Sequence, residues 1–265
     1  MTPFTPSHRG GSGAPLVCVH GFMETWRSWE LVLPALERRH SALALTLPGH
    51  AGGPPIDGPP SGELFADAVE HAMDEAGFGD AHVVGNSLGG HVAHRLAARG
   101  RARSVVALAP AGGWAEGDDS VRELLGFQRE LQQRVRASAA YADAIAATLE
   151  GRRRATELLT TNYAHIPADL VAHLIVGIAQ CDAAPALADY GVRADWTLDA
   201  KRITCPVRIV WGSDDRLLPW PSAATRYRRE WLPNADWVVL DGVGHAPQLD
   251  VPLEAAELIA GFASR

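Results

Sequence analysis

The stretch HVVGNSLGG (residues 82–90) sets one serine between glycines, directly after an apolar run. Its spacing is G-x-S-x-G, carried by Gly85, Ser87 and Gly89. Glycine at both flanks is what a sharp strand-to-helix turn needs if the residue between is to sit on its tip. A side chain at either flank would meet the neighbouring strand or helix. The pattern has meaning only if a strand precedes Ser87 and a helix follows it. AHVVGN (81–86) has the apolar, β-branched character of a buried strand, and residues 88–99 read as a helix.

The same alternation extends outward in both directions. LVCVH (16–20), SALALTL (41–47), SVVALAP (104–110), VRIVWG (207–212) and DWVVLDG (236–242) read as further strands. Several are continuously apolar, as expected of a parallel sheet buried on both faces. Helices are predicted over 62–76, 220–231 and 253–263, with Pro221 and Pro252 where a first-turn proline is tolerated. This βα rhythm predicts an α/β fold: a mostly parallel central sheet of six or seven strands with helices on both faces. At the front, HRGGSG (8–13) is turn-like and leaves room for one short edge strand at most.

The rhythm stops after Pro110. From Trp114 to Ala200 no strand pattern occurs. SVRELLGFQRELQQRV (120–135) puts Val121, Leu124, Leu125, Leu131 and Val135 on one helical face, and IPADLVAHLIVGIAQ (166–180) continues the helical character. The expected organisation is a core domain of residues 1–113 and 201–265, with 114–200 inserted as an all-helical cap.

Composition narrows the function. The chain has 265 residues, 47% hydrophobic and 21% charged, which is ordinary globular composition; a core of this size needs neither disulfides nor metal. The net charge of -7 and the lack of a basic stripe argue against a nucleic-acid partner; Arg152–Arg154 reads as a solvated helix start. Cys18, Cys181 and Cys205 have no C-x-x-C or zinc-ligand spacing and read as reduced thiols. The first residues carry no apolar signal segment, and no apolar run approaches the ~20 residues of a membrane helix. A cytoplasmic protein with no membrane partner is expected. No phosphate loop or dinucleotide fingerprint is visible, so no cofactor and no metal are expected, and the partner is a small-molecule substrate. Nothing in the sequence bears on oligomeric state.

A serine hydroxyl is a poor nucleophile alone; it needs a base within hydrogen-bond reach and an acid to orient that base. His245 lies in LDGVGHAP (240–247), just after the last strand, and WGSDDRLLP (211–219) offers Asp214 and Asp215 after the preceding one. Carboxyl ends of strands are where open α/β sheets gather reactive groups.

On HGF (20–22), LPGHAGG (47–53), GNSLGG (85–90), WGSDDRLLP and GHAPQLDVP (244–252), in that order, the chain resembles a capped α/β-hydrolase-fold enzyme over nearly its whole length. The resemblance implies Ser87 as nucleophile, His245 as general base and Asp215, before Arg216, as the orienting acid. It further implies an oxyanion hole from the backbone N–H groups of Leu88 and Phe22. His20 would brace its loop, His50 would serve a turn, and His91 and His94 would be packing residues, as would Trp29. Substrate contacts would come from Met23 and Trp26 in the first loop, and from Trp114, Phe127, Tyr141, Tyr163 and His165 in the insertion.

HGFMETWRSW (20–29) resembles epoxide hydrolases and dehalogenases, but those use an aspartate nucleophile and commonly a proline where Met23 stands. A serine between two N–H donors suits attack on a carbonyl. The leading expectation is hydrolysis of a small or medium, largely apolar carboxylic ester, lactone or thioester. The alternatives are C–C bond hydrolysis of a diketone-like or vinylogous diketo acid, whose enzymes share an elbow like GNSLGG including Asn86, and a ligand receptor without turnover.

Overall fold

The structure, a computed structural model, describes residues 3–263. Seven strands form one sheet: β1 (Ser7–Gly10), β2 (Ala14–Val19), β3 (His40–Leu45), β4 (Ala81–Asn86), β5 (Ala102–Leu108), β6 (Val207–Gly212) and β7 (Asp236–Leu240). Their spatial order is β1-β3-β2-β4-β5-β6-β7; β1 is antiparallel to β3 and every other pair is parallel.

Side-chain alternation explains the continuous apolar runs. In β2, Val17 and Val19 face one layer, with Val69 and Met73 of α2 (Leu64–Glu75) and Val92 and Leu96 of α3 (Leu88–Ala98). Leu16 and Cys18 face the other, with Leu36 of α1 (Leu33–Leu36) and Ile259 and Phe262 of α10 (Pro252–Phe262). Both faces are therefore dry, and no polar alternation was possible. A further short helix, α9 (Pro247–Asp250), follows the last strand.

Between β5 and β6 only helices occur among the described residues: α4 (Ser120–Ser138), α5 (Ala142–Ala146), α6 (Leu149–Thr156), α7 (Ala168–Ala179) and α8 (Ala184–Arg193). Leu170, Val171, Leu174 and Ile175 of α7 centre a separate apolar cluster that takes in Ala246 and Leu249 of the α9 region. No single helix among the described residues is long and apolar enough to cross a membrane, although the bent pair α7 and α8 passes on length and composition together.

The one short edge strand allowed for at the front is β1, which overlaps HRGGSG and pairs antiparallel with β3; the turn is confined to Gly11 and Gly13, both at positive φ. A Cβ on Gly13 would lie 2.3 Å from the Arg39 carbonyl oxygen. The predicted helix over 220–231 is a 3-10 turn at Ser222–Ala224 followed by a π turn at Tyr227–Trp231. The wider turn, closed by Leu232 N–H to the Tyr227 carbonyl at 2.9 Å, keeps the Tyr227 ring inside, where its hydroxyl donates to the Ala111 carbonyl.

Candidate active site

Ser87 sits between β4 and α3 with φ 55 and ψ -117, a region that costs a non-glycine residue about 1–3 kcal/mol. The flanking glycines make this possible. A Cβ on Gly85 would lie 2.1 Å from the Gly89 carbonyl oxygen, and one on Gly89 would lie 2.0 Å from that of Val19. The turn is locked by Ser87 N–H to the Leu108 carbonyl at 2.9 Å and by Ala111 N–H to the Ser87 carbonyl at 3.0 Å.

Asp215 follows β6 and His245 follows β7, both buried. His245 Nδ1 donates to Asp215 Oδ2 at 2.7 Å, while Asp215 Oδ1 accepts from the backbone N–H groups of Leu217 and Leu218 at 2.9 and 2.7 Å. The carboxylate is thus fixed on both oxygens. Asp214 points outward, taking the Ser213 hydroxyl at 3.0 Å. Burial disfavours the His245 imidazolium, but the Asp215 charge and hydrogen bond, with Glu24 adding to them, outweigh it and leave the pKa above 6.5.

Asn86 ties these parts together. Its amide donates to the carbonyls of Leu108 and His245, both at 3.0 Å, and its Oδ1 accepts from Gln248 Nε2 at 3.0 Å. The residue before Ser87 is thereby bonded to the main chain of His245. The backbone N–H groups of Phe22 and Leu88 donate to no acceptor among the described residues, and Leu88 opens α3, where the helix dipole favours negative charge.

A cavity of about 90 Å³ opens beside Ser87. Its apolar wall comes from Phe65, Trp114, Leu124, Leu125, Leu187 and Trp196. Arg95, Gln128, Tyr190 and Asp195 contribute polar groups, and Phe22 and Leu88 also border it. Arg95 is committed elsewhere: it pairs with Glu63, and its Nε donates to His91 Nε2 at 3.1 Å. Burial, then the Arg95 charge, pushes the His91 pKa down to about 3, so this wall residue is neutral. His20, neutral through burial, donates from Nδ1 to the Gly21 carbonyl and accepts the Leu47 N–H on Nε2, which braces the first loop.

Of the residues expected around a substrate, Trp114 lines this cavity and the others do not. Met23, at φ 64, is buried against Cys181 and Ala184. Trp26 bonds Thr5 through its indole N–H at 2.8 Å and stacks on His8. Phe127 is 37% exposed under Arg134, because α4 turns Leu124, Leu125 and Gln128 toward the cavity instead. Tyr141 is 67% exposed. His165 is exposed and bonds the Leu249 carbonyl at 2.9 Å. Tyr163 does not border the cavity either. Leu187 and Tyr190 of α8, and Trp196 after it, went unnoticed in the sequence, since nothing local marks which of their side chains look toward Ser87. Among the described residues no three His, Cys, Asp or Glu side chains are grouped to hold a metal ion.

This geometry has relatives. The sequence model of a family described as "Alpha/beta hydrolase family" matches residues 16–258. The chain belongs to that family. It is 34% identical over 223 residues to epoxide hydrolase EphH of Mycobacterium tuberculosis, covering 76% of this chain and 94% of that one. It is 28% identical over 263 residues to the pimeloyl-[acyl-carrier protein] methyl ester esterase of Aeromonas hydrophila, covering 96% and 97%. Among solved structures, the meta-cleavage product hydrolase CumD of Pseudomonas fluorescens superposes with a TM-score of 0.72 at 18% identity, over 97% of this chain and 92% of that one. Hydrolases of several bond types thus share this architecture.

Proposed function

We propose that this member of the alpha/beta hydrolase family is a serine hydrolase cleaving small or medium, largely apolar carboxylic esters, lactones or thioesters. The observation that carries the reading is the His245–Asp215 bond on a loop bonded through Asn86 to the neighbour of a positive-φ serine.

With Nδ1 engaged by Asp215, the proton acceptor is His245 Nε2. It takes the Ser87 proton as Oγ attacks the carbonyl carbon, and the developing oxyanion is received by the N–H groups of Phe22 and Leu88. The imidazolium returns the proton to the leaving alcohol, which departs and leaves an acyl group on Ser87. Water, deprotonated by the same imidazole, then releases the acid. Residues 114–200 serve as a cap over this centre, supplying Trp114 and Trp196 as the acyl-facing wall.

The name of the mycobacterial relative raises epoxide hydrolysis. Attack of a serine oxygen on an epoxide carbon would leave an ether, which has no carbonyl for water to attack. The carbonyl reading is therefore preferred. The experiment is a panel of p-nitrophenyl esters of graded acyl length, styrene oxide and a vinylogous diketo acid, together with fluorophosphonate labelling. Ester turnover and labelling, both lost in Ser87→Ala and kept in Ser213→Ala, support the proposal. Turnover confined to the epoxide or to the diketo acid replaces it, and folded protein that neither labels nor turns over is a receptor.

A further inference from the structure

Glu24 is only 6% exposed, in the first loop after β2. A buried carboxylate is costly unless something nearby needs its charge. Its surroundings are specific. Glu24 N–H donates to the Gly21 carbonyl at 3.3 Å, and Glu24 Oε2 accepts the Gly21 N–H at 3.3 Å, so the loop folds the carboxyl back over its own start. Gly21 has no side chain, and a Cβ there would lie 3.4 Å from Glu24 Cδ and 3.4 Å from Ser87 Cβ. The carboxyl and the serine therefore flank one glycine, within twice that distance of each other.

Burial raises the Glu24 pKa, and the opposing influences are the His245 charge first, then the Gly21 N–H and the Ser28 hydroxyl. Other charged or titratable groups nearby are accounted for. Asp215 is on the Nδ1 side of His245; His20 and His50 are held neutral by burial. Arg27 is spent on Glu30 and Asp169.

We infer that Glu24 is a second positioning carboxylate for His245, acting with Asp215 to stabilise the imidazolium that forms when Ser87 loses its proton. This rests on the reading of Ser87 and His245 as nucleophile and base. Glu24 touches no reacting atom; it acts through the ring. Asp215 fixes ring orientation by a direct bond, whereas Glu24 adds charge from beside the nucleophile.

Glu24→Gln tests the charge alone, since the amide oxygen still accepts the Gly21 N–H. The readouts are NMR titration of the His245 ring and the pH profile of kcat/KM on p-nitrophenyl acetate. In Glu24→Gln the His245 pKa and the acid limb should both fall by about 0.5–1 unit, with kcat down about tenfold and KM within about twofold. Glu24→Asp, which keeps the charge, should restore the profile toward wild type; it also keeps the test open if Glu24→Gln fails to fold. A His245 titration unchanged in Glu24→Gln, or still displaced as far in Glu24→Asp, overturns the inference. The titration needs no turnover and is repeated in Ser87→Ala. Esterase activity persisting in Ser87→Ala would sink the hydrolase reading, while the titration would still report on the Glu24–His245 pair.

Discussion

The side-chain amide of Asn86 and the main-chain carbonyl of His245 are joined by a 3.0 Å hydrogen bond between two buried groups. Three of the four hydrogen-bonding positions on Asn86 are used, on β5, on the His245 loop and on Gln248. Asn86→Ala leaves the His245 carbonyl and the Gln248 amide without these partners, while the Leu108 carbonyl keeps the Ser87 N–H. It should lower stability by about 1–3 kcal/mol and reduce kcat more than it raises KM, because the imidazole loses its fixed place. Urea melts and steady-state kinetics on the same preparation check both parts.

Ser87→Ala and His245→Ala should each lower ester hydrolysis by three or more orders of magnitude, and the double variant should be no worse than either single one, because such groups act as a unit. Asp215→Asn should be far more damaging than Asp214→Asn, which removes a charge from an exposed side chain. Single-turnover kinetics on a p-nitrophenyl ester measures all five. A wild-type rate in Asp215→Asn would remove that residue from the mechanism.

The pH profile has a definite sign. On the proposed mechanism the free imidazole is the active form, and the His245 pKa is raised above 6.5. The acid limb of kcat/KM should therefore be centred above the ordinary imidazole range, and activity should still be rising at neutral pH. An inflection below pH 6 would contradict the burial and pairing seen here.

Stability should respond to acid in the opposite sense. His50, His91 and His94 are buried, with pKa values pushed down to about 4, about 3 and about 3 by desolvation first. Below pH 6.5 the unfolded chain binds protons that the folded chain refuses. Each group then subtracts up to about 1.4 kcal/mol of stability per pH unit as pH falls. His245, with its raised pKa, runs the other way: its contribution is full below 6.5 and is lost as pH rises through the folded value. His20 and His82, also pushed down by burial, and His173, lowered to about 4, act in the same sense as the first three, so these groups against one predict a steep loss of stability between pH 6.5 and 4.5, measurable by urea melts at half-unit steps.

Trp114→Ala should extend the usable acyl chain by several carbons and lower kcat/KM for the shortest ester, since it opens the apolar wall. Phe127→Ala and Tyr141→Ala, both on the outer surface, should leave the ester series unchanged. The graded p-nitrophenyl series reads all three.

Much of the core was legible because its signals are local. Gly85 and Gly89 are imposed by contacts under 2.5 Å that any side chain would violate, and such demands show in the spacing itself. The apolar runs of β2 and β4 reflect burial on two faces. The edge strand β1 was allowed for without its exact residues, because backbone pairing needs no apolar pattern. The wall residues of the insertion were mostly missed for another reason. An aromatic residue on an amphipathic helix announces that it packs or is exposed, not what it faces, so Phe127 and Tyr141 were expected where Trp196 and Leu187 are found. Glu24 reads as one more loop acid until Gly21 and Ser87 are seen beside it.

Asp250 is buried, and its carboxylate accepts the backbone N–H groups of Gly244, Thr161 and Asn162 at 2.6, 3.0 and 2.6 Å. Ala246 N–H meets the Leu159 carbonyl at 2.8 Å, and the Thr25 hydroxyl meets His173 of α7 at 3.0 Å. The rear half of the insertion is thereby riveted to the frame that carries His245. A change at Asp250 would therefore loosen the insertion and the loop of His245 together.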